Sequence, residues 1–73
     1  MILPEIGEMC QIVRYTGPGE CVTLWTGVPR GIQLQWRKFG YIEQLLASVW
    51  DGKENFEWLM QPEIVVIPVK EPK

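Results

Sequence analysis

The chain carries few side chains that could do covalent chemistry. It has no histidine, so neither a Ser–His nor a Cys–His nucleophile pair can form. The carboxylate pairs Glu5 with Glu8 and Glu54 with Glu57 fall in predicted turns and flanks, where solvated surface charge is the ordinary role. The segment GPGE at 17–20 lacks the lysine and the helix start of a phosphate-binding loop. We therefore expect no enzyme, no catalytic residue and no small-molecule substrate.

Cys10 and Cys21 are the only cysteines. They offer at most two soft metal ligands, whereas a structural zinc site takes four, so we expect no metal and no cofactor. A disulfide between them would close a loop across GPGE and stays open as an alternative. Two reduced, buried thiols are the prediction for an intracellular protein.

One stretch, RGIQLQWRKFGY (30–41), concentrates cationic and aromatic side chains. It holds three of the seven basic residues and no acidic one. Interleaved cations and rings bind single-stranded nucleic acid through phosphate contacts and base stacking. The same residue types dominate the hot spots of protein interfaces. A plain hairpin with a solvated tip and half-buried rings explains the composition equally well.

Short strands joined by turns must position this stretch, because glycine and proline recur at short intervals. Segments 8–16 and 20–26 are rich in β-branched and aromatic residues, which favours strands. The segment IQLQWR (32–37) alternates strictly between apolar and polar residues, which predicts a strand with a dry face and a wet face. The dry face contains Ile32, Leu34 and Trp36.

Residues 41–50 are ambiguous, because their apolar residues recur at i, i+4 and i+8, a spacing that also fits an amphipathic helix. We predict a strand for at least the second half, with a helix over 41–47 as the alternative. LLASVW and FEWLM then form a hairpin around the turn formers DGKEN. A corner at 61–63, which a single helical turn would also fit, precedes the strand 64–69. This strand has no polar face, so we expect it to be buried on both sides or to close a barrel.

Length and composition indicate one domain. A chain of 73 residues has room for a single, marginal core, here taken as 6–69 within the domain 1–73, with a frayed polar tail at 70–73. The net charge of −2 argues against non-specific electrostatic binding to nucleic acid or to an anionic membrane. No signal peptide and no run of ~20 apolar residues is visible, so a cytoplasmic location is expected.

Three features together resemble the small β-barrels of the Src-homology-3 type: the glycine-led segment IGEMCQIV, the hairpin VWDGKENFEWL, and the strand IVVI after a proline corner. More narrowly, the pattern is similar to short single-domain barrels found in tailed-phage genomes. The resemblance covers 6–69 as an order of strands and 49–67 at motif level, and the segment 28–44 departs from it. It implies a phage accessory or structural protein, in the host cytoplasm or the virion.

The predicted fold is therefore all-β, a small antiparallel barrel of five to six short strands. In so small a barrel, at least one of Trp50 and Trp58 is predicted to be core. The predicted function is that of a non-enzymatic interaction module that binds another protein or itself, because a domain this small leaves apolar surface for a partner to cover. The alternative is a nucleic-acid-binding barrel that uses the stretch 30–41. The predicted partner-binding residues are Trp25, Arg30, Arg37, Lys38, Phe39 and Tyr41.

Overall fold

The computed structural model describes residues 3–69, which form six β-strands and no helix. The all-β prediction is thereby confirmed. None of the described residues belongs to a helix that is long and apolar enough to span a membrane. The predicted tail at 70–73 lies outside the described residues. The strands are β1 (Cys10–Gly17), β2 (Glu20–Gly27), β3 (Gly31–Phe39), β4 (Ile42–Trp50), β5 (Asn55–Leu59) and β6 (Ile64–Pro68).

The strands form two antiparallel sheets of three strands each. Sheet A has the order β2-β1-β6 and sheet B the order β3-β4-β5. The expected closed barrel is not formed, because no ladder joins the two sheets among the described residues. A proline lies at each crossing between the sheets, Pro29 before β3 and Pro62 before β6. Proline has no N–H to donate, so neither crossing can continue a ladder from one sheet into the next.

A single core fills the space between the two sheets. Ile12 of β1 and Val49 of β4 are fully buried, and they belong to one cluster with Cys10, Ala47, Trp58 and Val66. Trp58 is buried and its ring stacks on that of Phe56, with ring centroids 5.9 Å apart. Trp50 lies on the opposite face of sheet B and is half exposed. The prediction that at least one of these two tryptophans is core is confirmed.

A β-bulge in β2 changes which of its side chains reach the core. Ile12 pairs with Trp25 and Val13 with Thr23, so Leu24 is an extra residue that has no pairing partner in β1. Simple alternation predicts Leu24 and Trp25 on opposite faces. Because the bulge breaks the alternation, both pack against the core cluster.

Residues 42–50 form one continuous strand, so the alternative of a helix at 41–47 is wrong. Spacings of four and eight are also multiples of two, and they therefore place residues on one face of a strand as well as of a helix. The apolar residues of this segment lie on both faces of β4, which is the central strand of sheet B. The corner at 61–63 is a turn, in which the Ile64 N–H donates to the Gln61 carbonyl oxygen at 3.1 Å.

Strand β6 is less buried than its apolar sequence predicts. Val66 is buried, whereas Ile67 and Pro68 are exposed. The expectation of burial on both sides is wrong, because β6 is an edge strand of sheet A and only one of its faces meets the core. The strand ends at Pro68, as predicted, and one further bond joins the Val69 N–H to the Met9 carbonyl oxygen at 3.0 Å.

Candidate interaction surface

Strands β3 and β4 are joined by a two-residue loop, Gly40 and Tyr41. Phe39 and Ile42 are the paired residues on either side of it. Gly40 has a φ of +68°, and no residue other than glycine has a positive φ among the described residues. A positive φ at the first loop position alone is the pattern of a type II′ turn, whose twist matches that of the flanking strands. Glycine at this position is therefore what allows so tight a hairpin.

The far end of this hairpin extends beyond the rest of sheet B. Strand β5 pairs with β4 only over Leu46–Trp50, and one further bond joins the Met60 N–H to the Leu45 carbonyl oxygen at 2.9 Å. Residues 36–45, which we call the distal ribbon, thus form a two-stranded structure. The radius of gyration is 13.0 Å, larger than the value of about 11 Å expected for a compact chain of this length.

The distal ribbon carries large apolar side chains in contact with solvent. Tyr41 is fully exposed, and Trp36 and Ile42 are 69% and 62% exposed. These are three of the four most exposed large apolar residues in the described part of the chain. Trp36 pairs with Leu45 on the face that continues the core side of sheet B, while Phe39 pairs with Ile42 on the other face. Apolar surface is therefore present on both faces and at the tip.

The basic residues of the stretch 30–41 do not form one surface. Arg37 and Lys38 are adjacent in a strand and so lie on opposite faces of the ribbon. The Arg37 Nη1 is 3.9 Å from the Glu57 Oε2, and Lys38 is paired in register with Glu43. Arg30 lies at the other end of β3, where its side chain covers Gly52. Each basic group of the ribbon therefore has a carboxylate on its own face.

Of the six residues predicted to bind a partner, the fold brings together Arg37, Lys38, Phe39 and Tyr41. Arg30 is about 23 Å from Arg37 along the strand, from the rise of ~3.3 Å per residue. Trp25 belongs to sheet A and is half-buried against the core. Trp36 and Ile42 were not among the predicted partner-binding residues. For Trp36 the reason is that the alternation in 32–37 placed it on the apolar face of the strand. One signal was available: the apolar segment 41–50 is longer than FEWLM (56–60), the segment predicted to pair with it.

The two cysteines lie in different environments. Cys10 is buried and Cys21 exposed. In the β1–β2 ladder Cys10 pairs with Gly27 and Cys21 with Tyr15, a separation along the ladder of roughly 17–20 Å from the strand rise. A disulfide requires Cα atoms within roughly 7 Å, so this fold excludes a bridge between these two residues. Burial also raises the pKa of the Cys10 thiol, which disfavours its reactive thiolate.

Acidic groups in the described residues serve local structure. The Asp51 carboxylate accepts hydrogen bonds from the backbone N–H groups of Glu54 at 2.8 Å and Lys53 at 2.9 Å. These two bonds lower the pKa of Asp51 from its ordinary value of 3.8. Across residues 3–69, no group of three or more potential metal ligands comes together.

Comparison of the chain with protein-family models, with curated proteins and with solved structures finds no match.

Proposed function

We propose that this protein is a non-enzymatic interaction module that binds protein through the distal ribbon. The observation that carries the proposal is the exposure of Trp36, Tyr41 and Ile42 on a ribbon beside which residues 3–69 place no third strand. Large apolar residues clustered at one end of a small domain are typical of surfaces that a partner covers. Trp and Tyr are also the residue types enriched at interface hot spots.

Energetics favour a partner at this surface. Burying one large apolar side chain contributes about 1.5–3 kcal/mol relative to leaving it in water. A two-stranded hairpin by itself is marginally stable in water, because neither of its outer backbone edges is paired. A bound protein would therefore both cover the side chains and order the ribbon.

Nucleic acid is the less well supported alternative. A strand of nucleic acid needs a continuous cationic track beside its stacking rings. Here Arg37 and Lys38 lie on opposite faces, each with a carboxylate on its own face, and the whole chain has a net charge of −2. This arrangement favours a protein as the partner.

The biological setting that we propose rests on the resemblance to small barrels of tailed phages. It would make the protein an accessory or structural component in the host cytoplasm or in the virion.

The test compares two matched variants in their ability to assemble with protein from the native source. The variant Trp36→Ser with Tyr41→Ser removes apolar surface from the distal ribbon. The control, Val22→Ser, removes an apolar side chain that is 51% exposed on β2, in the other sheet. We expect the ribbon variant to lose binding by about 1–3 kcal/mol and the control to bind like the unmodified protein.

Binding is measured by quantitative cross-linking and by sedimentation with the isolated partner, and self-association counts as binding. Equal binding by the two variants would refute the proposal. A parallel fluorescence titration with mixed-sequence oligonucleotides at two salt concentrations tests the alternative. Micromolar, salt-sensitive binding that is lost in Arg37→Ala and Lys38→Ala would replace the protein-binding proposal with the nucleic-acid one.

A further inference from the structure

Strand β3 has an open edge over its whole length. It pairs with β4 on one side and with no described strand on the other. Seven of its nine residues, from Gln33 to Phe39, are exposed. Such an edge presents unpaired N–H and C=O groups to another strand.

The other three edge strands are protected by the devices that proteins use against edge pairing. Strand β2 contains a bulge at Leu24. Strands β5 and β6 have five residues each, and β6 ends in Pro68. In β3 the only such device is the charge of Arg37 and Lys38, near one end. Within the described residues, β3 is therefore the edge best suited to accept a strand.

The backbone of β3 is directed correctly for such pairing. The Leu45 carbonyl accepts from the Met60 N–H, so the backbone of Leu45 faces β5. In an antiparallel ladder, a residue that bonds to one neighbour is in a non-hydrogen-bonded pair with the other. Trp36, opposite Leu45, thus directs its N–H and C=O to the open edge. By alternation, Ile32, Leu34 and Lys38 do the same.

We propose that the partner at this edge is a second copy of the chain, and that the two β3 strands pair antiparallel about a two-fold axis at Gln35. The proposal rests on the proposed function, since β3 contributes Trp36 and Phe39 to the distal ribbon. The two copies of sheet B would join into one sheet of six strands. Gln35 is the midpoint of Gly31–Phe39, so this register alone pairs all nine residues of each strand.

On the core-side face, this register places apolar groups opposite one another. Leu34 lies opposite Trp36 of the second copy, so each tryptophan that protrudes beyond its own core gains an apolar neighbour. Ile32 lies opposite Lys38 of the second copy, whose aliphatic stem can cover it while the ammonium group stays in water.

On the other face, the register matches polar groups and fills the space above a glycine. Gln33 lies opposite Arg37 of the second copy and can accept its hydrogen bond through the amide oxygen. Gly31 lies opposite Phe39 of the second copy, and an aromatic ring across the ladder from a glycine is a known way to cover it. No two like charges are opposed. A register centred on Arg37 would set two guanidinium groups against each other, which disfavours it.

Engineered disulfides test this register directly. In a background of Cys21→Ser, which removes the exposed native thiol, the variants are Gln35→Cys and Gln33→Cys. Residue 35 lies opposite residue 35 of the second copy in a non-hydrogen-bonded pair. Their Cα separation would be about 4.5 Å, which is within the range that a disulfide spans. The two residues 33 are four positions apart, about 14 Å along the ladder. We expect Gln35→Cys to form a covalent dimer with oxidised glutathione and Gln33→Cys to remain monomeric on a non-reducing gel.

Sedimentation velocity provides the second measurement. The unmodified protein should show a concentration-dependent dimer, and Gln35→Lys, which places two ammonium groups opposite each other, should dimerise several-fold more weakly. Circular dichroism checks that each variant keeps its fold. A protein that is monomeric at every concentration, or equal cross-linking at positions 33 and 35, would overturn the inference.

Failure of this inference differs from failure of the proposed function. A monomer that still loses a different protein partner in the Trp36→Ser, Tyr41→Ser variant would overturn self-pairing and leave the interaction module standing. If that variant binds protein as well as Val22→Ser does, the proposed function itself is wrong.

Discussion

The indole ring of Trp25 lies across the backbone of Gly27. A Cβ built on Gly27 would be 2.7 Å from Cζ2 of the ring and 2.9 Å from Cη2, closer than non-bonded carbon atoms pack. The ring is held there because Trp25 is half-buried and packs against the core cluster. The absence of a side chain at position 27 is what allows the tryptophan to lie at the edge of sheet A.

The first prediction is that Gly27→Ala destabilises the fold by about 1–3 kcal/mol, the usual cost of forcing an extra methyl group into a packed site. The control is Gly31→Ala. A Cβ at Gly31 meets Trp50 Cε3 at an ordinary 3.9 Å, and neither glycine has a positive φ. Gly31→Ala should be neutral, or slightly stabilising because alanine restricts the unfolded chain. Urea unfolding measures both, and equal stabilities would contradict the close approach of Trp25.

The second prediction separates the two tryptophans of the β4–β5 hairpin. Trp58 is 5% exposed and Trp50 is 46% exposed. Trp58→Phe should cost about 1–3 kcal/mol, because it leaves a void in the core and removes part of the stack on Phe56. Trp50→Phe should change stability by no more than about 0.5 kcal/mol. Chemical denaturation of both variants decides the matter, and a larger loss at Trp50 would refute the assignment of the core face.

The third prediction concerns acid stability. The backbone N–H groups of Glu54 and Lys53 lower the pKa of Asp51 in the folded state. A carboxylate whose pKa is depressed by folding adds stability above its unfolded pKa, and this stability is lost as the pH falls through the folded pKa. Asp51 is the only aspartate in the chain. A carboxyl NMR titration should therefore find one Asp signal that titrates below pH 3.8, the ordinary value.

Two variants connect this titration to stability. Asp51→Asn should flatten the dependence of unfolding free energy on pH below about pH 4, because the group that titrates is gone. Glu43→Gln, which also removes one carboxylate but takes no part in the turn, is the matched control. The interpretation would fail if both variants flattened the profile equally.

The fourth prediction distinguishes the two thiols. Cys21 is exposed, while Cys10 is buried and its thiol pKa is raised by that burial. A thiol reagent at neutral pH should modify Cys21 in the native protein and Cys10 only after unfolding, since the thiolate is the reactive form. Mass spectrometry of the modified peptides reads the outcome. Rapid native modification of Cys10 would show that the start of β1 opens readily.

Features that depend on neighbouring residues in the chain were predictable. The turn after Trp50 forms because the Asp51 side chain bonds to backbone groups two and three residues ahead. The extent of β4 was less certain from sequence, because spacings of four and eight are compatible with both a helix and a strand. What decided it was strand pairing on both sides, with β3 and with β5, which is a non-local property.

The alternation of residues in β3 is enough to say which of its side chains share a face. Ile32, Leu34 and Trp36 alternate with polar residues, and a strand places them together whatever surrounds it. Only the tertiary structure decided that Ile32 packs on the core while Trp36 is exposed. The physical reason is that alternation is set by local backbone geometry, whereas burial depends on how far the neighbouring strands extend. Because β5 pairs with β4 only over Leu46–Trp50, one apolar face of β3 is divided into a part that packs on the core and a part that is exposed.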